Sequence, residues 1–587
     1  MAPWTNGTAD LAPVIRVHGG VVSPTARHCP THLRTRTEHA FGAAAPGKHP
    51  YLARSALSPL TAVLDLVEHR GRSVEDACAH LPTRGGRAVR IMGEPVAPPH
   101  EGLLAWTRHA ARTYLGALAA GSGERADGVD RVPVADPWIL RYLPETGSGR
   151  ARPYEVCVWG RRYLLRDGPR ITRELRVPVP GPTRPPGPEE VAVTAFVVAT
   201  GAHVDRAAFE ARPWRYVGGA PYATRPHRLP EEAPARVRVV QVSCLDGSEA
   251  TLFEGTVTEA GERYAAFGRE PLRAVLAPGG RVPGADCRPC RSRDRCGRLP
   301  RAPGLLGVRD RSRPRRTWSV TAGSYHRECP AKAHFHALGL PSGAGGDGPE
   351  GAAARRGHAV LSWIAGRHRR SPARVCTADD LPPDGDAWSA GGVDVTGRAA
   401  RTGASMLERH LAVCPLSDAS RPGAVHVDYP LTVDDPLADV LVRCSAGLVF
   451  RRDGAWVLRE LTTARTGTVA DLDRLLHDQP RLALLVLLGT AVVPPTAPRP
   501  TIELEVLTPD GAHVRAVDPD LPRNRATARA VVRALAAPWH ADTAHVAVPG
   551  PACRTCPYRR WCPQAAGSAT GPAGVAGSRV ESSASQS

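Results

Sequence analysis

Apolar and polar residues alternate on either side of two Asp-Gly pairs, Asp167-Gly168 and Asp453-Gly454. Alternation with a period of two turns one face of a strand toward a core. Asp-Gly suits a tight turn because both central positions take positive φ, so each pair predicts a β-hairpin. A further Asp-Gly follows each hairpin, at Asp246-Gly247 and Asp510-Gly511, again between strand-like runs. Helical patterns occupy about 259–276, 482–488 and 523–537, and helical segments surround two isolated Cys-Pro steps, Cys29-Pro30 and Cys329-Pro330. This order predicts an α/β (α+β) protein, with small mixed sheets flanked by helices.

The pattern occurs twice. AVLDLVEHRGRSVEDACAHLP at 62–82 is similar to AVLSWIAGRHRRSPARVCTADDLP at 359–382, and AART at 110–113 returns at 399–402. LLRDGPRITREL at 164–175 is similar to VFRRDGAWVLREL at 449–461. Matches kept in one order predict two homologous domains, at 14–297 and 317–566. Between them, 298–316 is rich in Pro and Arg without an apolar period and reads as a linker. The small, polar stretch 567–587 reads as a disordered tail.

Charge changes the picture only partly. The 587 residues carry a net charge of +19, an excess that ordinarily points to nucleic acid or another polyanion. Nearly all of the basic residues are Arg, since only Lys48 and Lys332 are lysines, so the bias of a GC-rich genome is a competing source. The longest apolar run, Leu482 to Val493, is too short for a membrane span of about 20 residues, and the N-terminus has no secretory pattern. These features predict a cytoplasmic protein without a membrane partner. Thiols stay reduced there, so the 14 cysteines call for a reason other than disulfides.

Cys287-x2-Cys290-x5-Cys296 and Cys553-x2-Cys556-x5-Cys562 share one spacing, and each lies about 220–260 residues after its Cys-Pro. C-x2-C sets two thiolates on one tight loop, and the third can close the same site. The open fourth position suits the Cys of the Cys-Pro. The predicted ligand sets are therefore Cys29, Cys287, Cys290 and Cys296, and Cys329, Cys553, Cys556 and Cys562. A cubane iron–sulphur cluster takes four thiolates, and so does a tetrahedral zinc. Zinc ribbons usually pair two C-x2-C motifs, which favours iron–sulphur and leaves zinc as the alternative. Cys78, Cys157, Cys244, Cys376, Cys414 and Cys444 lack such spacing and read as buried apolar thiols.

The early Cys-Pro and the late C-x2-C-x5-C, with CRTCPYRRWCP at 552–563, resemble the iron–sulphur branch of the PD-(D/E)XK nucleases, the RecB-like group with AddB-type subunits. The resemblance implies a [4Fe-4S] cluster tying the start of each domain to its end. It also implies a catalytic set held by Mg²⁺ or Mn²⁺. Gly357-His358 fits the family's helix His, with Thr61 aligned in the first half. The acid of the family's acid-x-Lys falls on Glu460 and Glu174, but Thr462 and Arg176 stand where the Lys belongs. The preceding acid falls on Gly447 and Arg161, and the later Gln and Tyr positions fall near Arg481 and Leu485. One carboxylate is a poor cage for a divalent ion.

The resulting expectation is a tandem RecB-like protein with degenerate sites. It would bind nucleic acid, DNA first, or a helicase-nuclease or defence partner, with little or no cleavage. Two alternatives stand beside it. One is an active metal-dependent nuclease whose site has migrated to Asp434, Asp435 and Asp439 with Glu460 and His358. The other is an iron–sulphur redox protein, which lacks any dinucleotide Gly-rich fingerprint.

Overall fold

The computed structural model describes residues 15–23, 28–35, 55–81, 89–91, 94–96, 98–123, 129–142, 154–204, 206, 209, 234–277, 279–290, 292–343, 349–417, 425–465, 472–492 and 498–566. The tail expected at 567–587 lies outside them. The protein is a mixed α/β structure with several mixed sheets flanked by helices. Among the described residues, no helix is long and apolar enough to cross a membrane.

In the second half one sheet runs Arg316–Trp318, Val440–Arg452, Ala455–Thr463, Thr501–Leu507, Ala512–Val517, and His426–Asp435 also pairs with Val440–Arg452. Asp453-Gly454 forms the expected hairpin turn, with φ of 50° and 80° at its two central residues. The parallel step from Ala455–Thr463 to Thr501–Leu507 needs a crossover, and helices Leu472–Asp478 and Pro480–Val492 supply it. Leu482 to Leu488 are all buried, so this helix is apolar all round and forms the centre of the core.

The first half repeats these pairings in the same order and directions, distributed over two sheets. Asp130–Val134 and Trp138–Tyr142 pair antiparallel with Arg161–Asp167 and Tyr154–Cys157, respectively. Ile15–His18 runs parallel to Tyr154–Cys157, as Arg316–Trp318 does to Val440–Arg452. The long strand of the second half is thus interrupted in the first, next to Gly160 with φ of 149°. Arg170–Val179, Arg236–Ser243 and Glu249–Thr256 complete the sheet, and helix Pro188–Thr200 makes the crossover.

One turn differs from expectation. In the first hairpin Asp167 pairs with Arg170, so the central residues are Gly168-Pro169. Only Gly168 takes positive φ (53°), because the pyrrolidine ring holds Pro169 at negative φ. The displaced turn changes the cross-strand register. Tyr163, not Arg161, lies opposite Glu174, and Arg161 lies opposite Arg176.

The two halves interlock. Helices Leu57–Arg70 and Glu101–Gly123 of the first half share a core with Phe335, Leu338, Tyr558 and Trp561 of the second. Cys287 and Leu299 pack in turn on Leu441. The stretch expected as a linker, 298–316, is packed rather than free. Leu305, Leu306 and Val308 enter the second core, and the N–H groups of Gly304 and Leu306 donate to Asp435. Its lack of periodicity reflects a strap held by single buried residues.

Candidate functional site

Both predicted cysteine sets converge on cavities. Cys29, Cys287, Cys290 and Cys296 line one. Cys329, Cys553, Cys556 and Cys562 line the other. In the first, the Gly284 N–H donates to Cys287 Sγ (3.4 Å), and Asp286 accepts from the Cys29 N–H (2.8 Å). In the second, the Val548 N–H donates to Cys329 Sγ (3.4 Å). Pro330 starts the helix Pro330–Leu338, where a missing N–H is harmless, and so Cys329 is held at the helix entry. Burial pushes the Cys287 thiol up to about 11, so an uncompensated thiolate is unfavourable in this cavity. Bound metal would offset that penalty.

The nuclease-like carboxylates have different neighbours from those a divalent ion needs. Glu460 lies 7% exposed on Ala455–Thr463, and Arg481, at the start of the crossover helix, donates to it (3.0 Å). One register step beyond Leu448–Arg459, Gly447 faces Glu460. A Cβ on Gly447 would lie 2.6 Å from Leu461 Cδ1, so an acid there would have to displace that side chain. His358 is exposed, and among the described residues it makes no hydrogen bond or ion pair with Glu460. In the first half, fully buried Glu174 is surrounded by Arg131 (3.4 Å), Arg176 (3.6 Å) and Arg238 (2.9 Å). Arg161 pairs with Asp65 and Glu68 of helix Leu57–Arg70, and Tyr163 donates to Glu68. At the strand position where the resemblance places an acid, Arg161 carries the opposite charge, and its acidic partners stand on the helix.

Asp434, Asp435 and Asp439 do not join Glu460. Asp434 and Asp439 both pair with Arg315, at 3.0 and 2.6 Å, while Asp435 caps the 304–306 turn. Asp434 sits opposite Leu441, six residues along the strand from Gly447, which is about 20 Å at ~3.3 Å per residue. One metal ion cannot span that distance, so this migrated site is not formed.

A third group escaped the sequence reading. His368, Cys376, His410 and Cys414 are all buried, with their ligand atoms within 4.8 Å of one another, and can hold a metal ion. His368 ends helix Pro349–His368, and His410 lies in the last turn of Gly397–Leu411. Reading Cys376 and Cys414 as lone apolar thiols overlooked His410-x3-Cys414 and His368-x7-Cys376. The short His410–Cys414 spacing was legible, but Cys414 lies beyond the helix end, so only the fold shows that the two share a site with His368 and Cys376.

Glu460 also carries a pH dependence. Burial pushes its carboxyl up to about 7, outweighing the half-exposed Arg481 guanidinium, while nearby Asp428 adds to the rise. An unfolded Glu releases its proton near pH ~4.3. Between that pH and about 7 the folded state holds a proton the unfolded chain has lost, so this residue's contribution to stability falls as pH rises and levels off above. Glu460→Gln should flatten that portion of the urea-midpoint profile. An unaltered slope would show that Glu460 ionises normally.

Residues 317–563 match the family model of the PD-(D/E)XK nuclease superfamily. No curated protein matches the chain.

Proposed function

We propose that the chain is a duplicated RecB-like protein of the iron–sulphur branch. Its two halves, 14–297 and 317–566, would each carry a [4Fe-4S] cluster, and it would bind nucleic acid, DNA first, or a partner enzyme in DNA processing or defence, with little or no cleavage. The observation that carries the last point is the guanidinium at each remaining carboxylate, Arg481 at Glu460 and Arg131, Arg176 and Arg238 at Glu174. A nuclease of this class gathers carboxylates around a divalent ion that activates water and stabilises developing charge. Here a guanidinium already stands beside each acid and would repel the incoming ion.

The duplication is supported by the common strand order and directions of the two halves. Cluster identity is supported by the three-plus-one layout of the cysteines, since zinc ribbons usually pair two C-x2-C motifs and a cubane cluster takes one thiolate per iron.

Purified protein should show no Mg²⁺- or Mn²⁺-dependent cleavage of single- or double-stranded DNA. Binding by Arg-phosphate contacts should weaken by about 10³-fold or more between about 50 and about 200 mM salt in gel shifts, if six or more phosphates are engaged. Robust degradation abolished by EDTA would overturn the reading of the site. Absence of any shift at low salt would overturn nucleic-acid binding and turn attention to a protein partner.

A further inference from the structure

Between the nuclease-like sheet and its covering helices lies a set of donors that neither the cysteine cavities nor the carboxylate sites use. We propose that His368, Cys376, His410 and Cys414 bind a single structural Zn²⁺, and that Glu505 is its outer-sphere carboxylate. The reading is independent of the iron–sulphur proposal.

The distances suit one small tetrahedral ion. His368 Nε2 and His410 Nε2 are 3.2 Å apart. Two nitrogens at about 2.0–2.1 Å from a tetrahedral centre would be about 3.3 Å apart. Cys376 Sγ lies 3.9 Å from His368 Nε2, slightly beyond the ~3.6 Å that combined Zn–S and Zn–N lengths require. A modest inward shift of the Cys376 side chain closes the set. Two thiolates and two imidazoles in tetrahedral array are a donor set that selects zinc over magnesium, calcium or manganese.

The second sphere is also in place. His410 Nδ1 lies 2.6 Å from Glu505 Oε1. A carboxylate acceptor fixes the proton on Nδ1, which leaves the Nε2 lone pair aimed at the other three donors. Glu505 is itself held by Arg459 (3.0 Å), and Arg459 donates as well to the Val413 carbonyl, next to Cys414 (2.7 Å). The orienting group and the ligand loop are therefore tied to one guanidinium.

All four ligands are buried, so the ion would have no open position for substrate and its role is structural. It would join the C-terminal ends of helices Pro349–His368 and Gly397–Leu411 to the 369–377 loop and, through Glu505, to strand Thr501–Leu507.

Elemental analysis of the full-length protein tests this. Wild type should retain one zinc per chain after dialysis, and Cys376→Ser/Cys414→Ser should lose that equivalent while iron stays unchanged. Equal zinc in both proteins would overturn the proposal, leaving a hydrogen-bonded His/Cys cluster. Loss of iron from Cys553→Ser with zinc retained would separate this site from the cysteine cavities. Should the double variant fail to fold, Co²⁺ loaded into wild type should give the intense visible bands of a tetrahedral thiolate site, and a weak octahedral spectrum would overturn the assignment. Glu505→Gln should weaken zinc about 10- to 100-fold in chelator competition. Unchanged affinity would remove Glu505 from the site.

Discussion

Cys553→Ser is expected to strip iron from one of the two cysteine cavities and to lower the melting temperature by on the order of 10 °C. Cys329 and Cys553, which line the same cavity, are separated by 224 positions (553 − 329). A cross-link closing a loop of that length removes about 5 kcal/mol of unfolded-state freedom in the chain-entropy model. At about 2–4 °C per kcal/mol for a domain of this size, the shift is easily measured by calorimetry. The effect should spread beyond the cavity, because Phe335 and Trp561 beside it pack on the helices of the first half. Cys444→Ala, a thiol outside both sets, should leave iron unchanged. Wild-type melting and iron content in Cys553→Ser would sink the structural role. Zinc in place of iron in anaerobic protein would sink only the cluster identity.

The second large effect is expected at Arg459, a residue of strand Ala455–Thr463 that is 2% exposed. Its guanidinium donates to Glu503 (2.8 Å), Glu505 (3.0 Å) and the Val413 carbonyl (2.7 Å). Glu503 and Glu505 are 2% and 0% exposed. Arg459→Met keeps the volume but leaves two carboxylates buried without that cation, and breaking such a pair costs about 3–5 kcal/mol. Against a total stability of about 5–15 kcal/mol, most variant molecules should be unfolded or insoluble at elevated temperature. Arg459→Lys should recover only part of the loss, since an ammonium cannot match the planar fork that reaches all three acceptors. Arg459→Met within about 1 kcal/mol of wild type in urea unfolding would show that water already compensates the two acids.

The hairpins and the C-x2-C-x5-C triplets could be read in advance because each depends on neighbours along the chain, whereas the meeting of each triplet with its Cys-Pro cysteine at one cavity is a matter of the fold. An Asp-Gly between alternating residues determines its own turn, and C-x2-C holds two thiols together in any fold. Even there, a single proline mattered. Gly168-Pro169 displaced the first turn by one residue and moved Tyr163, rather than Arg161, opposite Glu174.

Charge compensation was different. Nothing local to Glu460 announces Arg481, 21 positions later, or tells that Arg131, Arg176 and Arg238 converge on Glu174 from three strands. The strand segment TIELEVL did carry a hint, since Glu503 and Glu505 share the face of a buried strand and must therefore find cations. Their partner, Arg459, could only be named once the parallel register of the two strands was known. Likewise His368 and His410, 42 positions apart, became a pair only when two helix ends met. By itself, then, the sequence determined the repeated hairpins, the crossover helix and the two C-x2-C-x5-C triplets, because turn chemistry and ligand spacing act over a few residues. The tertiary structure alone decided which acids were neutralised, which thiols gained histidines and how the halves interlock. Those outcomes depend on distances through space that no short stretch of chain contains.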